Sequence, residues 1–236
     1  MNRTRTLVAI TALALAVGLF FALRAPVDAF QGVYSRIMHI HVPTAWLAFL
    51  AFGITAVGSI GWRLRKTRPW DRLAAASAEL GVLFTALALI TGSLWGGGVW
   101  GTYWDWGDAR MATTALMFFV YLGYLALRGA SPDPETAANR SSILGIVAVV
   151  QVPLVYFSVN MFRSLHQGQS IRPDGATMPT EMLMAMLINV AAFTVAYLCL
   201  LSARTRVMAL EEEAAPSGIS AGAAVRPPRI GEALDG

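Results

Sequence analysis

The chain has one cysteine in 236 residues and little charge, with Asp, Glu, Lys and Arg making up only 14% of it. A single thiol, Cys199, rules out an intramolecular disulfide; lying in an apolar run, it is expected to be a small buried hydrophobe. No CxxCH occurs, so the chain carries no covalently attached c-type haem, and without a CxxC thiol–disulfide exchange is not expected. No GxxxxGK[ST] occurs, which excludes ATP hydrolysis by a P-loop. There is no internal repeat. A soluble domain carries about 25% charged residues; this chain is 56% hydrophobic with a mean hydropathy of +0.56. It reads as an integral membrane protein with no nucleic-acid partner.

Six apolar runs are present: Leu7–Leu23, Val42–Trp62, Leu73–Leu94, Met111–Leu127, Ile143–Met161 and Met182–Leu201. Each is close to the ~17–25 residues that span a bilayer as a helix, and unmet backbone hydrogen bonds make helix the only realistic assignment in lipid. The first run follows Met-Asn-Arg-Thr-Arg-Thr but is long for a signal peptide and lacks a good cleavage site, so it is read as an uncleaved span. The expected fold is an all-α bundle of six transmembrane helices. Thirteen of the eighteen Lys and Arg residues fall in the N-terminus, the 63–72 and 128–140 loops and the tail. The positive-inside rule then places both termini in the cytoplasm. Residues 1–203 form the membrane domain, with an outer Trp-rich loop at about 93–111; residues 204–236 form a cytoplasmic tail, helical at first and then disordered.

That outer loop, Trp95-Gly-Gly-Gly-Val-Trp-Gly-Thr-Tyr-Trp-Asp-Trp-Gly-Asp-Ala-Arg110, holds four of the seven tryptophans and five glycines. Trp and Tyr belts are common at bilayer interfaces. The glycines add close backbone approach to that. Aromatic faces with a few charges suit a flat, apolar, anionic ligand such as haem. Trp95, Trp100, Tyr103, Trp104 and Trp106 are candidates for a platform under such a ring. Arg36 and Arg110 are candidates for its carboxylates. Asp105 and Asp108 would repel those groups, and are expected to hold Arg110, to cap a helix or to face a partner.

All three histidines, His39, His41 and His166, fall at the same outer side. Haem iron takes axial imidazole. His39 and His41 are about 200° apart on a helix and cannot both face one iron. Pro43 allows a kink or helix start that aims His41 inward. His41 and His166 are therefore the expected ligand pair, with His39 as the alternative. In the spans, Glu79 is expected to be a structural hydrogen-bonding group, and Gln151, Pro153 and Asn160 are expected to bend the fifth helix.

Three stretches resemble the CcmC family, the haem-handling membrane proteins of cytochrome c maturation. These are Arg36-Ile-Met-His-Ile-His-Val-Pro, then Thr91-Gly-Ser-Leu-Trp-Gly with Trp100-Gly-Thr-Tyr-Trp-Asp-Trp and Asp108-Ala-Arg, and Ser164-Leu-His-Gln-Gly. The resemblance covers residues from about 30 to 200. It implies that haem b is held as transient cargo at the periplasmic face of a bacterial inner membrane. Axial ligands would be His41 and His166, the Trp-rich segment would lie against the ring, and Arg36 and Arg110 would lie near the propionates. It further implies delivery to a CcmE-like haem chaperone, alongside CcmA-like and CcmB-like ABC transporter subunits and a small CcmD-like subunit. Gly107 adds one residue to the family's commoner Trp-to-Asp spacing, and His39 stands where an aromatic is frequent. No residue is an evident acid, base or nucleophile, so a haem-binding transfer protein is expected rather than an enzyme. A transporter of haem or another organic anion is the alternative, and a cytochrome b-type redox protein is further off.

Overall fold

The computed structural model describes residues 3–172 and 175–214. Helices α1 (Arg3–Arg24), α2 (Met38–Arg65), α3 (Arg68–Val99), α4 (Ala109–Gly129), α5 (Pro134–Ala148), α6 (Gln151–Met161) and α7 (Thr180–Ala214) account for most of it. A 3₁₀ turn, Val33–Ile37, leads into α2, and two-residue strands β1 (Ile171–Arg172) and β2 (Gly175–Ala176) pair antiparallel beyond α6. Six segments are long and apolar enough to cross a membrane, with α5 and α6 together forming the fifth. The protein is a multi-pass membrane protein.

Helix α2 is the centre of the bundle and packs along α3, α5 and α7. Its inner face carries Leu47, Ala48, Ala51 and Phe52, which join Phe84, Met117, Tyr121 and Tyr197 in one buried core. Phe52 stacks on Tyr121 with ring centroids 3.5 Å apart. Ser77 is a polar group of this core that is fully paired, whereas the buried Tyr121 and Tyr124 hydroxyls have no hydrogen-bond partner among the described residues. The Ser77 hydroxyl lies 2.6 Å from the Ala51 carbonyl and 2.7 Å from the Tyr197 hydroxyl. Helix α1 packs chiefly on α7, where buried Asn189 donates to the Gly18 carbonyl at 2.9 Å.

The elements differ from the sequence expectation in two places, and the bend expected in the fifth span is present as a break. Helix α2 starts at Met38, so His39 and His41 both lie within it and the helix runs on through Pro43. Helix α3 continues to Val99, so Trp95 and the three glycines after it are helical, and the irregular part of the Trp-rich segment shortens to residues 100–108. The fifth span is interrupted at Val149–Val150, just before Gln151 and Pro153.

At the Arg-rich end, Asp71 is buried and accepts two hydrogen bonds from Arg128, at 2.6 and 3.0 Å. Glu79 pairs with Arg204, which meets the structural role expected of it. Residues 204–214 continue α7, and Glu212 bonds both Arg68 and Arg72. The disorder expected further along the tail falls on 215–236, outside the described residues. Cys199 is half-buried rather than fully buried.

Candidate functional site

A cavity of about 760 Å³ opens at the end of the bundle opposite this Arg-rich face. Its walls are mostly apolar and come from α2, α3, α4, α6, α7 and the segment after α6. His41 enters it from α2 and His166 from the segment after α6, so one lining holds two imidazoles from distant parts of the chain.

His41 is fixed against α3. Its Nδ1 lies 3.1 Å from the Ala88 carbonyl oxygen and 3.2 Å from the Thr91 hydroxyl. A carbonyl only accepts, so Nδ1 carries the proton and Nε2 keeps its lone pair. The ring fits because residue 92 is glycine: a Cβ there would stand 2.8 Å from His41 Cε1. Trp95, one helical turn further on, packs edge-on to His41 with centroids 5.5 Å apart. Its indole N–H donates to Gln31 at 3.0 Å.

His166 is fixed by Asp108. That carboxylate is buried and caps α4 by accepting from the Met111 amide at 2.9 Å. It also accepts from the Ser164 hydroxyl and the Leu165 amide, each at 2.6 Å, and faces His166 Nδ1 at 3.1 Å. Burial pushes the Asp108 carboxyl up, but the Ser164 and Met111 hydrogen bonds, the His166 charge and the Leu165 amide outweigh it and bring it to about 2. It is therefore ionised, and His166 must present Nδ1–H to it. Burial lowers His166 below its ordinary value of 6.5 despite the opposing pull of Asp108. The imidazole is neutral near pH 7, again with a free Nε2. A carboxylate behind a ligating histidine is the usual way to fix tautomer and ring orientation.

The aromatic candidates divide by position. Trp95, Trp100 and Trp104 line the cavity. Trp100 packs edge-on to His166 at 4.8 Å, and the buried indole N–H of Trp104 has no hydrogen-bond partner among the described residues. Tyr103 and Trp106 lie outside the lining and are 66% and 71% exposed. Trp106 packs on Trp104, and Tyr103 lies against Gly97 of α3. Gly101, at φ 72°, turns the chain out of α3.

Arg110 lines the cavity and donates to the Tyr156 carbonyl at 3.0 Å, which leaves guanidinium N–H groups for an anion. Arg36 is exposed and lies outside the lining. His39 is 1% exposed, is not in the lining, and its Nδ1 has no partner among the described residues. Asp108 is where the sequence reading fell short. Capping was one of three roles left open for it, and its hold on His166 depends on a contact across 58 residues of chain that no spacing reveals.

Two neutral imidazoles with free Nε2 atoms, indoles around them and a cation at the rim suit a flat apolar ring that carries a metal and acidic groups. The fold and site thus define a polytopic membrane protein with a pocket chemically matched to a metalloporphyrin. The sequence model of the CcmC family, described as haem exporter protein C, matches residues 2–219. Haem exporter protein C of Bradyrhizobium diazoefficiens is 40% identical over 195 residues, covering 82% of this chain and 74% of that one. The Haemophilus influenzae protein of the same name is 37% identical over 210 residues, covering 87% and 84%. A putative cytochrome c biosynthesis ccmC-like mitochondrial protein of Arabidopsis thaliana is 36% identical over 186 residues, covering 79% and 70%. The chain belongs to the haem exporter protein C family.

Proposed function

We propose that this protein binds haem b as a transient cargo at the periplasmic face of a bacterial inner membrane and delivers it to a CcmE-like haem chaperone for cytochrome c maturation. His41 and His166 are its axial ligands, Trp95, Trp100 and Trp104 bracket the ring, and Arg110 takes a propionate. Tyr103, Trp106 and Arg36 stand at the rim, where they meet the exposed edge of the cargo or its recipient. The observation that carries this reading is the convergence of two imidazoles on one apolar cavity, each with Nδ1 already committed and Nε2 free.

The periplasmic assignment rests on the positive-inside rule: the basic 63–72 segment and Arg204–Arg206 lie at the end of the bundle away from the cavity. CcmA-like, CcmB-like and CcmD-like subunits are the expected companions, since the sequence has no P-loop. On this reading the protein holds and presents haem rather than transforming it. The test is the absorption spectrum of purified protein loaded with haem, in wild type, His41→Ala and His166→Ala. Each variant should lose the low-spin bis-imidazole spectrum. Retention of that spectrum in both variants, or its loss only in His39→Ala, overturns the ligand assignment.

A further inference from the structure

Between α1 and α2 the chain makes a tight turn that carries a large aromatic ring standing clear of the other described residues. Phe30 is 98% exposed, yet the turn beneath it is firmly built. Asp28 Oδ1 accepts from the Phe30 and Gln31 amides, both at 2.9 Å. The Gly32 amide donates to the Asp28 carbonyl at 2.9 Å. The Ser35 hydroxyl donates to the Gly32 carbonyl at 2.7 Å and accepts from the Asp28 amide at 3.1 Å. Gly32 sits at φ 55°, which favours glycine. A floppy connector exposes side chains by default; this one fixes its backbone and still holds Phe30 outward.

The surroundings say what meets the ring. The outward face of α1 is continuously apolar, with Leu13, Leu19, Phe20 and Leu23 exposed, and it runs directly into exposed Val27, Phe30, Val33 and Tyr34. The lipid-facing surface of the span thus continues onto the turn. Arg24 and Arg36 bracket it, and its one acid, Asp28, is consumed by the turn itself. Aromatic rings flanked by cations match the headgroup and acyl boundary of a bilayer with anionic lipid.

We propose that the Asp28–Gly32 turn is a membrane anchor that seats the Phe30 ring in the lipid interface at the histidine end of the bundle. Gln31, the next residue, accepts the Trp95 indole N–H and lines the cavity. The anchor therefore ties the cavity wall beside His41 to the bilayer surface.

The anchor is tested without any cargo. In a Cys199→Ala background, a nitroxide is attached at Phe30→Cys in the full chain, in phosphatidylcholine–phosphatidylglycerol vesicles. Power saturation compares collisions with oxygen, which partitions into lipid, and with a nickel chelate, which stays in water. Leu13→Cys on the outward face of α1 is the lipid reference, and Glu213→Cys near the end of α7 the aqueous one. The oxygen-to-nickel ratio at position 30 should exceed that at position 213 several-fold and approach that at position 13. A ratio equal to that at position 213 overturns the anchor, and means that the ring stands in water to meet another protein.

Discussion

Asp108→Asn is the sharpest perturbation of the site, because it changes one atom of a group that four donors share. Oδ1 accepts from the Met111 amide and faces His166 Nδ1, and Oδ2 accepts from the Ser164 hydroxyl and the Leu165 amide. An asparagine amide sets its NH₂ against one of these pairs. Placed towards Ser164 and Leu165, it meets a backbone N–H that cannot become an acceptor. Placed towards Met111 and His166, it removes the α4 cap and turns His166 to the tautomer whose Nε2 is protonated and cannot ligate. Leaving one or two buried donors unmet costs about 1–3 kcal/mol each. Loss of the partner behind a ligating histidine costs 10–100-fold in affinity, or about 1.4–2.7 kcal/mol. A haem titration followed at the Soret band should therefore show Kd rising 10–100-fold, with the six-coordinate spectrum giving way to a five-coordinate one. Added imidazole should restore the six-coordinate form, which a general folding defect would not allow. A wild-type Kd and spectrum in Asp108→Asn would refute the claim that this carboxylate positions His166.

Gly92→Ala places a methyl 2.8 Å from His41 Cε1 and should weaken haem binding about tenfold or more, as overpacking costs about 1–3 kcal/mol. Gly123→Ala meets nothing within 4 Å and should leave it unchanged; equal effects in the two titrations would remove Gly92 from the site. The lowered His166 makes the folded protein bind fewer protons than the unfolded chain below pH 6.5. Its contribution to stability is therefore full above 6.5 and is lost as pH falls from there towards the folded value. Haem affinity should stay level through pH 6.5 and decline only below it, and a midpoint above 6.5 in a pH series would reverse the assigned direction. Asn189→Leu removes the donors to Gly18 and Ala185 and should destabilise the chain by about 1 kcal/mol in a dodecyl sulfate unfolding titration; no change would mean that small-residue packing alone holds α1 on α7.

Hydropathy alone was enough to find the spans, because lipid leaves the backbone no other choice. It was not enough to end them. The apolar run stopped at Leu94, yet Gly96–Gly98 continue the helix, and aromatic rings occupy the space that a Cβ would take there. Tyr103 lies where the Cβ of residue 97 would be, and Tyr34 where that of residue 98 would be. That trade of propensity for packing is tertiary, and no window along the chain contains both partners. Histidine is scarce here and the topology put all three at one end, which is why His41 and His166 stood out as candidates; the structure brings both into one cavity. His39 and His41 point to different sides of α2, and the cavity lies on the His41 side. Capping was one of the three roles the sequence offered Asp108, which stands just before a helix. Its wider role comes from a loop folding back on the cap, which local sequence does not encode.

The two imidazoles are held in unequal ways, and that bears on how cargo leaves. His41 stands on α2 with its ring wedged against Gly92 and its Nδ1 against Ala88, so moving it means separating α2 from α3, the most extensive helix pair in the bundle. His166 stands in an irregular segment whose Ser164, Leu165 and His166 all bond a single carboxylate. Shifting that segment breaks three hydrogen bonds and separates no helices. On the proposed function, His41 is then the ligand that keeps the iron and His166 the one that yields it. Asp108 is the joint on which this turns, because the same carboxylate caps α4 at the point where the Trp-rich segment ends. A recipient that pulls on the exposed Tyr103–Trp106 stretch pulls on the residue that holds His166 in place.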